Sequence, residues 1–527
     1  MPIVVRDGVT LYADIYRPTG DGQVPVILNS TTFGKRKING EAPVTHAAAV
    51  ADDDGEMLFS VVGVPQSWTS GLETFEGSDP GFFAAHGYAV CNLDIRGCYM
   101  SQGDGQYFGT QEAEDDHDVI EWLAAQSWCT GRVAMTGNSW LGICQWFAAA
   151  EQPEHLTCFA PWEGWSDMYR DEYMVGGIPD YSGFRYKNSF SDTGMMEDVV
   201  ANMLAHPLLD EYWEDKAAAL KNITIPAYIA ASYTSPIHSA GTLRGYRDIA
   251  SENKWLRIHN TQEWQDSYRR SHEEDLLKFF DHFMKNIDNG WENTPKVRLS
   301  VLDPGGRDIV ERPENEFPLK RQQLKELWLD ASDMSLKTEK PEAEASVSYC
   351  SFDGKGDAVF RMTVQEEMEV VGYVNARFWG EVHGYNDMDL FVKVSKYDAE
   401  GRRLAHSPTE NDRVIAYNGP CGRLRASMRE LDKERSTPNE PYYTYNNPQK
   451  LSSYEVVPLE VGLVPTGMRF HPGEILELSI RGYLNDNILQ HAPTELRMGI
   501  DNNGRHIIHT GGRYDSKLIL PVIPINE

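Results

Sequence analysis

Short apolar runs separated by turn residues open the chain. Val9 to Tyr16 alternates polar and apolar positions, as an edge hairpin strand does. Val24-Pro25-Val26-Ile27-Leu28 is a continuous apolar run, the pattern of a strand covered on both faces. Gly87 to Asp94 repeats that pattern, and Arg132 to Thr136 predicts a third buried strand. Between Thr110 and Ala125 apolar residues recur at helical spacing, with Asp and Glu gathered early, where a helix N-terminus favours them. After Gly137, residues Leu141, Cys144, Phe147 and Ala148 mark one helix face. Strands alternating with helices predict a mostly parallel sheet with helices on both sides, an α/β core.

The pattern changes at position 164. Residues 164–222 are rich in Asp, Glu, Tyr, Trp and Met and contain no strand-like run, which predicts a helical cap. Ile225 to Ala231 and Lys254 to Ile258 resume the sheet. His272 to Met284 then carries a stripe of Leu276, Leu277, Phe280 and Phe283. From Arg298 the chain breaks into short alternating segments between Gly, Pro, Asn and Asp turns. Val370–Phe378, Asp389–Val394, Ile475–Ile480 and Lys517–Val522 are examples, and they predict a β-sandwich of jelly-roll type over 298–527. The α/β core is thus expected over 1–163 and 223–297, interrupted by the cap.

A length of 527 residues fits this division, being too long for one ordinary core. The formal net charge of −30 repels phosphate backbones and anionic membrane surfaces, so neither nucleic acid nor membrane is an expected partner. The same charge serves solubility and is compatible with a homo-oligomer. No stretch approaches the ~20 apolar residues of a membrane span. The opening residues lack the basic and long apolar regions of a secretory signal. The seven cysteines form no CxxC pair and predict buried thiols in a reducing compartment, with cytosol the expected location. No metal-ligand set, phosphate loop or dinucleotide fingerprint stands out, so no cofactor is expected.

The run Gly137-Asn138-Ser139-Trp140-Leu141-Gly142, lying between a predicted buried strand and an amphipathic helix, carries the chemistry. A strand, a Gly-x-Ser-x-x-Gly turn and a helix together lift one serine above the carboxyl edge of a sheet. The helix aims its first amides at the place where an oxyanion would form. Ser139 is therefore the expected nucleophile of a serine-hydrolase-type enzyme.

Several motifs resemble the X-prolyl dipeptidyl-peptidase/cocaine-esterase (CocE/NonD) family of α/β-hydrolases. They are Arg6-Asp7-Gly8-Val9, Ala13-Asp14-Ile15-Tyr16-Arg17-Pro18, Asp94-Ile95-Arg96-Gly97, Ser101-Gln102-Gly103, the Ser139 turn and Pro472-Gly473-Glu474. The resemblance spans nearly the whole chain, cap and jelly roll included. It implies Ser139 as nucleophile and the Trp140 amide as one oxyanion donor.

The chain departs from that pattern at the supporting positions. Where the family has an oxyanion-donating tyrosine, the sequence reads Thr31-Thr32-Phe33-Gly34-Lys35, and phenylalanine cannot donate. Loss of one such donor costs ~3 kcal/mol of transition-state stabilisation unless another group replaces it. Ser235, after Tyr233 and Thr234, stands in the slot of the catalytic aspartate. Gln262 or Glu263 stands in the slot of the histidine.

Candidate bases are His259, oriented by Glu263 or Asp266, and Glu263 itself with a burial-raised pKa. His238 is a weaker candidate, read as a surface or turn residue. Trp165 and Tyr169, with Trp162, Tyr173, Met174, Tyr181, Phe184 and Tyr186, predict an apolar or aromatic pocket over Ser139, shared with ordinary cap packing. Two functions follow. One is hydrolysis or acyl transfer at an ester or amide carbonyl of a small, largely apolar or aromatic substrate. The other is a repurposed enzyme of the same fold, a lyase, isomerase or cyclase, working without a full Ser-His-Asp triad.

Overall fold

The computed structural model describes residues 1–36, 64–181, 194–235, 237–354, 356–407, 416–483 and 499–524. Phe184 and Tyr186 of the expected pocket lie outside them. Ten strands of the first sheet run in chain order: β1 (Pro2–Val4), β2 (Thr10–Tyr16), β3 (Val24–Thr31), β4 (Ala89–Asp94), β5 (Cys129–Asn138), β6 (Leu156–Trp162), β7 (Ala227–Ser232), β8 (Lys254–His259), β9 (Val297–Val301) and β10 (Ile309–Glu314). In space the order is β1-β2-β4-β3-β5-β6-β7-β8-β9-β10 among the described residues. Pairing is parallel from β4 through β9 and antiparallel at the two ends.

The strand over Val9 to Tyr16 is not the edge that alternation suggested. It lies between β1 and β4, and the three-residue β1 takes the edge. Strand β6 is missing from the sequence reading, in part because Pro161 stands within it and proline argues against a central strand. Strands β9 and β10 extend the first sheet past the expected boundary at position 297.

Side-chain alternation explains why helices cover both faces. Val26, Leu28, Val133 and Met135 join one core, with α1 (Thr110–Ala124) and α2 (Trp140–Ala150). Ile27, Val90, Ala134, Cys158 and Tyr228 point the other way. They meet Leu276, Phe279, Phe280 and Met284 of α5 (Arg270–Lys285), which follows α3 (Ser239–Asp248) and α4 (Glu263–Ser267). Each face therefore buries its own apolar row, as the continuous apolar runs required.

The described part of the cap consists of short helical pieces, among them Tyr169–Tyr173, Val199–Ala205 and Glu211–Asp215. The C-terminal region is all-β. Its longest strand, Met368–His383, pairs antiparallel with Val457–Phe470 from Met368 opposite Phe470 to Gly380 opposite Val457. Cap and β-domain dock tightly at Gly176, where an added Cβ would lie 2.0 Å from the Arg423 carbonyl oxygen. Arg170 packs over the rings of Tyr442 and Tyr445 at 4.3 and 5.0 Å. Among the described residues no helix is long and apolar enough to cross a membrane.

Candidate active site

Four parallel strands end side by side where the candidate residues sit. Asn138 of β5 is paired with Trp162 of β6, and Ser232 of β7 with His259 of β8. The residues that follow these strands therefore converge at the carboxyl edge of the sheet. Ser139 has φ 54° and ψ −118°, a conformation rare for a side-chain-bearing residue, and it opens α2. The turn needs its glycines. A Cβ on Gly137 would stand 2.4 Å from that of Leu141, and one on Gly142 would stand 2.5 Å from the Trp162 carbonyl oxygen. The Ser139 amide donates to that same Trp162 carbonyl at 3.2 Å. The Ser139 carbonyl accepts from Gly142 and Ile143 at 2.9 and 2.8 Å.

A residue with no local signature lies against this turn. Glu76, buried and held at φ 66°, accepts through its backbone carbonyl from the Asn138 amide at 3.0 Å. Its own amide donates to the Tyr268 hydroxyl oxygen at 2.6 Å. Its carboxyl oxygen Oε1 accepts from the Trp264 indole at 2.7 Å. Burial pushes the Glu76 carboxyl up to about 8, and the Trp264, Asn138 and Ser139 side chains pull back only part of that rise.

Glu263 is the second buried carboxyl. Burial first, then the negative charges of Glu163 and Glu76, raise it well above the ordinary range. The Asn138 side chain donates to it at 3.4 Å, and His238 Nε2 stands 3.7 Å away. His238 is itself buried, not the surface residue its loop position suggested.

His259, the last residue of β8, is engaged on both ring nitrogens. Nε2 lies 3.0 Å from a carboxyl oxygen of Glu163, and Nδ1 faces the Thr261 carbonyl at 3.1 Å and Asp266 at 3.7 Å. Burial alone would raise Asp266, but Arg257, His259 and His272 together hold it well below the ordinary range. Glu163 follows the unrecognised strand β6 directly and adopts φ 46°. The site therefore gathers Glu76, Glu163 and Glu263 where histidine and aspartate were sought.

Other expected residues take different places. Gln262 caps α4, accepting from the Trp264 and Gln265 amides at 2.8 and 3.2 Å. The Ser235 hydroxyl accepts from the His238 amide at 3.3 Å and shapes the turn into α3. The Tyr233 ring faces the β-domain, where a Cβ on Gly467 would lie 2.5 Å from it. The Trp165 indole donates to Glu172 at 2.7 Å, with its ring 4.8 Å from that of Phe108. Tyr169 packs between Trp213 and Tyr445 at 5.3 and 5.1 Å. Phe33 meets the edge of Phe75 at 5.0 Å, and Phe75 meets Trp264 at 5.6 Å, so a row of three rings leads to Glu76.

A ten-stranded mixed sheet, a serine lifted on a strand-turn-helix elbow and an all-β C-terminal region define an α/β-hydrolase with a jelly-roll domain. Comparison with known proteins agrees. The X-Pro dipeptidyl-peptidase (S15 family) signature matches residues 7–198, and the X-Pro dipeptidyl-peptidase C-terminal non-catalytic domain matches residues 289–519. The crystal structure of a CocE/NonD family hydrolase from Staphylococcus aureus superimposes with a TM-score of 0.90 at 33% identity, covering 99% of this chain and 93% of that one. The chain belongs to the CocE/NonD family of hydrolases. Cocaine esterase of Rhodococcus sp. is 33% identical over 195 residues, which are 37% of this chain and 28% of that esterase's length. An aminopeptidase from a marine sediment archaeon, Thaumarchaeota archaeon, shares the fold at a TM-score of 0.71 and 16% identity over 99% of this chain and 96% of that one.

Proposed function

We propose that the chain hydrolyses an ester or amide bond of a small, largely apolar or aromatic substrate, with Ser139 as nucleophile and Glu76 as its base. The observation that carries this reading is the Glu76 carboxyl, buried against the Ser139 turn and pushed up to about 8. A base works best when its pKa lies near the working pH, because it is then both available and strong enough. Glu76 takes the Ser139 hydroxyl proton as the oxygen bonds to the substrate carbonyl carbon. The Trp140 amide, at the positive end of α2, receives the oxyanion. Glu76 then returns the proton to the departing alcohol or amine, and water releases the acyl group by the same steps in reverse. The Phe33–Phe75–Trp264 row supplies an apolar wall beside Glu76. In this reading the α/β core, with β9 and β10 at its edge, carries the chemistry, and the C-terminal β-domain supports it.

Labelling by a fluorophosphonate and a burst with an activated ester test the reading. Both should occur in the native chain and vanish in Ser139→Ala; absence of label at high reagent concentration overturns it.

One observation favours a second reading, a non-hydrolytic enzyme of this fold. The Nε2 nitrogen of His259, the atom a serine hydrolase uses as base, is turned to Glu163. If Ser139→Ala keeps turnover of the true substrate while Glu76→Gln or Glu263→Gln abolishes it, this second reading holds.

A further inference from the structure

Trp140 supplies a backbone amide to the proposed oxyanion site, and its side chain ties that residue to the helix α1. The indole is buried, and its nitrogen donates to Oε1 of Glu112 at 2.9 Å. The other oxygen of the same carboxyl accepts from the Phe108 amide at 3.0 Å. Phe108 adopts φ 55°, and its ring lies against the Trp140 ring at 4.3 Å, while Tyr107 meets Trp140 edge-on at 5.4 Å. Glu112 thus joins two strained backbone positions, the loop before α1 and the Ser139–Trp140 turn, through one buried carboxyl group.

We infer that Glu112 is a positioning residue, holding the Trp140 amide in register with Ser139 through the indole and Phe108 contacts when its carboxyl is ionised. The inference rests on Ser139 being the nucleophile only for its effect on rate; the Glu112–Trp140 link itself is independent of that reading. Two N–H donors aimed at two carboxyl oxygens are best matched by the carboxylate, whereas a proton on either oxygen weakens one contact.

The surroundings set when that proton leaves. Burial pushes Glu112 up to about 7; Asp115 on the same helix adds to the rise, and the buried Lys216 of the cap opposes it. Asp116, one residue further along α1, is raised well above the ordinary range, by burial first and by Glu112 second. Arg96 is paired with Asp115 at 2.6 Å, and Lys216 lies 3.1 Å from Glu197. The Cys144 thiol of α2 is held protonated by burial and by the Asp116 and Glu112 charges.

The test uses Glu112→Gln, Trp140→Phe and the double variant in the full chain. A displacement of reacting groups by about 1 Å can cost about 100-fold in rate. Each single variant should lower kcat by about tenfold or more with KM little changed, and the double variant should be no worse than Trp140→Phe alone. In protein labelled with 5-fluorotryptophan, the Trp140 fluorine resonance, assigned by its loss in Trp140→Phe, should shift as pH passes through about 7. That shift should vanish in Glu112→Gln.

A lowered melting temperature with unchanged kcat, or additive losses in the double variant, would reduce Glu112 to a packing residue and overturn the proposal. If Ser139→Ala retained turnover, the nucleophile reading would fall. The fluorine titration would still decide the Glu112–Trp140 link, and a resonance that does not move with pH overturns it.

Discussion

The backbone amide of Asn138 donates to the backbone carbonyl of Glu76 at 3.0 Å. This bond ties the last residue before the nucleophile to a loop more than sixty positions earlier. It brings the Glu76 side chain under the turn that lifts Ser139. Glu76 and Ser139 both adopt positive φ, so two strained residues are locked to each other, and such strain persists only where the surroundings over-determine it.

The pH dependence of acylation follows from Glu76. A protonated carboxyl cannot accept the serine proton, and the Glu76 proton leaves at about 8. The rate constant kcat/KM should therefore rise with pH through about 8. Glu76→Gln should remove that limb and lower kcat by about 10²- to 10⁴-fold, the usual contribution of a general base. Steady-state rates from pH 6 to 10 check it; an unchanged profile in the variant assigns the base elsewhere.

Stability should respond to pH in the opposite sense. Burial raises Glu76 from 4.5 to about 8, and Glu273 likewise from 4.5 to about 8. For a carboxyl raised on folding, the native state favours the protonated form. Its stabilisation is complete below the unfolded value and is lost as pH rises through the folded one. The melting temperature should fall between pH 5 and 9, and Glu76→Gln should flatten that slope. A flat melting curve in the native chain would contradict the burial of these carboxyls.

Replacing His259 should damage the fold as well as the site. Its ring stands between Glu163 at 3.0 Å and Asp266 at 3.7 Å, all three residues buried. Removing a buried polar ring from between two buried carboxyls costs about 1–3 kcal/mol, because polar atoms lose a neighbour where water cannot replace it. Urea unfolding of His259→Ala should show a loss of that size, whereas a loss below about 1 kcal/mol would place the ring in solvent-like surroundings.

Phe33→Tyr tests the oxyanion side. The Phe33 ring is buried edge-on to Phe75 at 5.0 Å, and tyrosine at this position adds a hydroxyl donor to that ring. One oxyanion donor is worth about 10²- to 10³-fold at full geometry, and an unrefined one should still accelerate acylation by an activated ester about tenfold. Burst kinetics measure this. No gain, with the fold intact, means that position 33 does not face the developing charge.

Sequence pattern carried the fold further than the site. The continuous apolar runs at Val24–Leu28 and Gly87–Asp94 identify β3 and β4, because a strand buried on both faces has no polar face to interrupt it. The Gly-rich turn with its flanking strand and helix locates Ser139, because the close approach at Gly137 and Gly142 admits no side chain. Strand β6 escaped notice at Pro161, and Glu163 with it. Glu76 had no local signature at all; it lies outside every predicted strand and helix.

The sequence by itself determined most of the alternation of strands and helices, the position of the nucleophile turn and the presence of Phe33, Ser235, Gln262 and Glu263 where the resemblance to the family leads one to look for tyrosine, aspartate and histidine. These are local properties, written as periodicity, glycine placement and residue identity. Only the tertiary structure decided which carboxyls gather at the site. Glu76, Glu163 and Glu263 are far apart in the chain, and their shared burial gives Glu76 and Glu263 their raised pKa values. Desolvation and mutual repulsion depend on distance in space and on the exclusion of water, and no one-dimensional pattern encodes either.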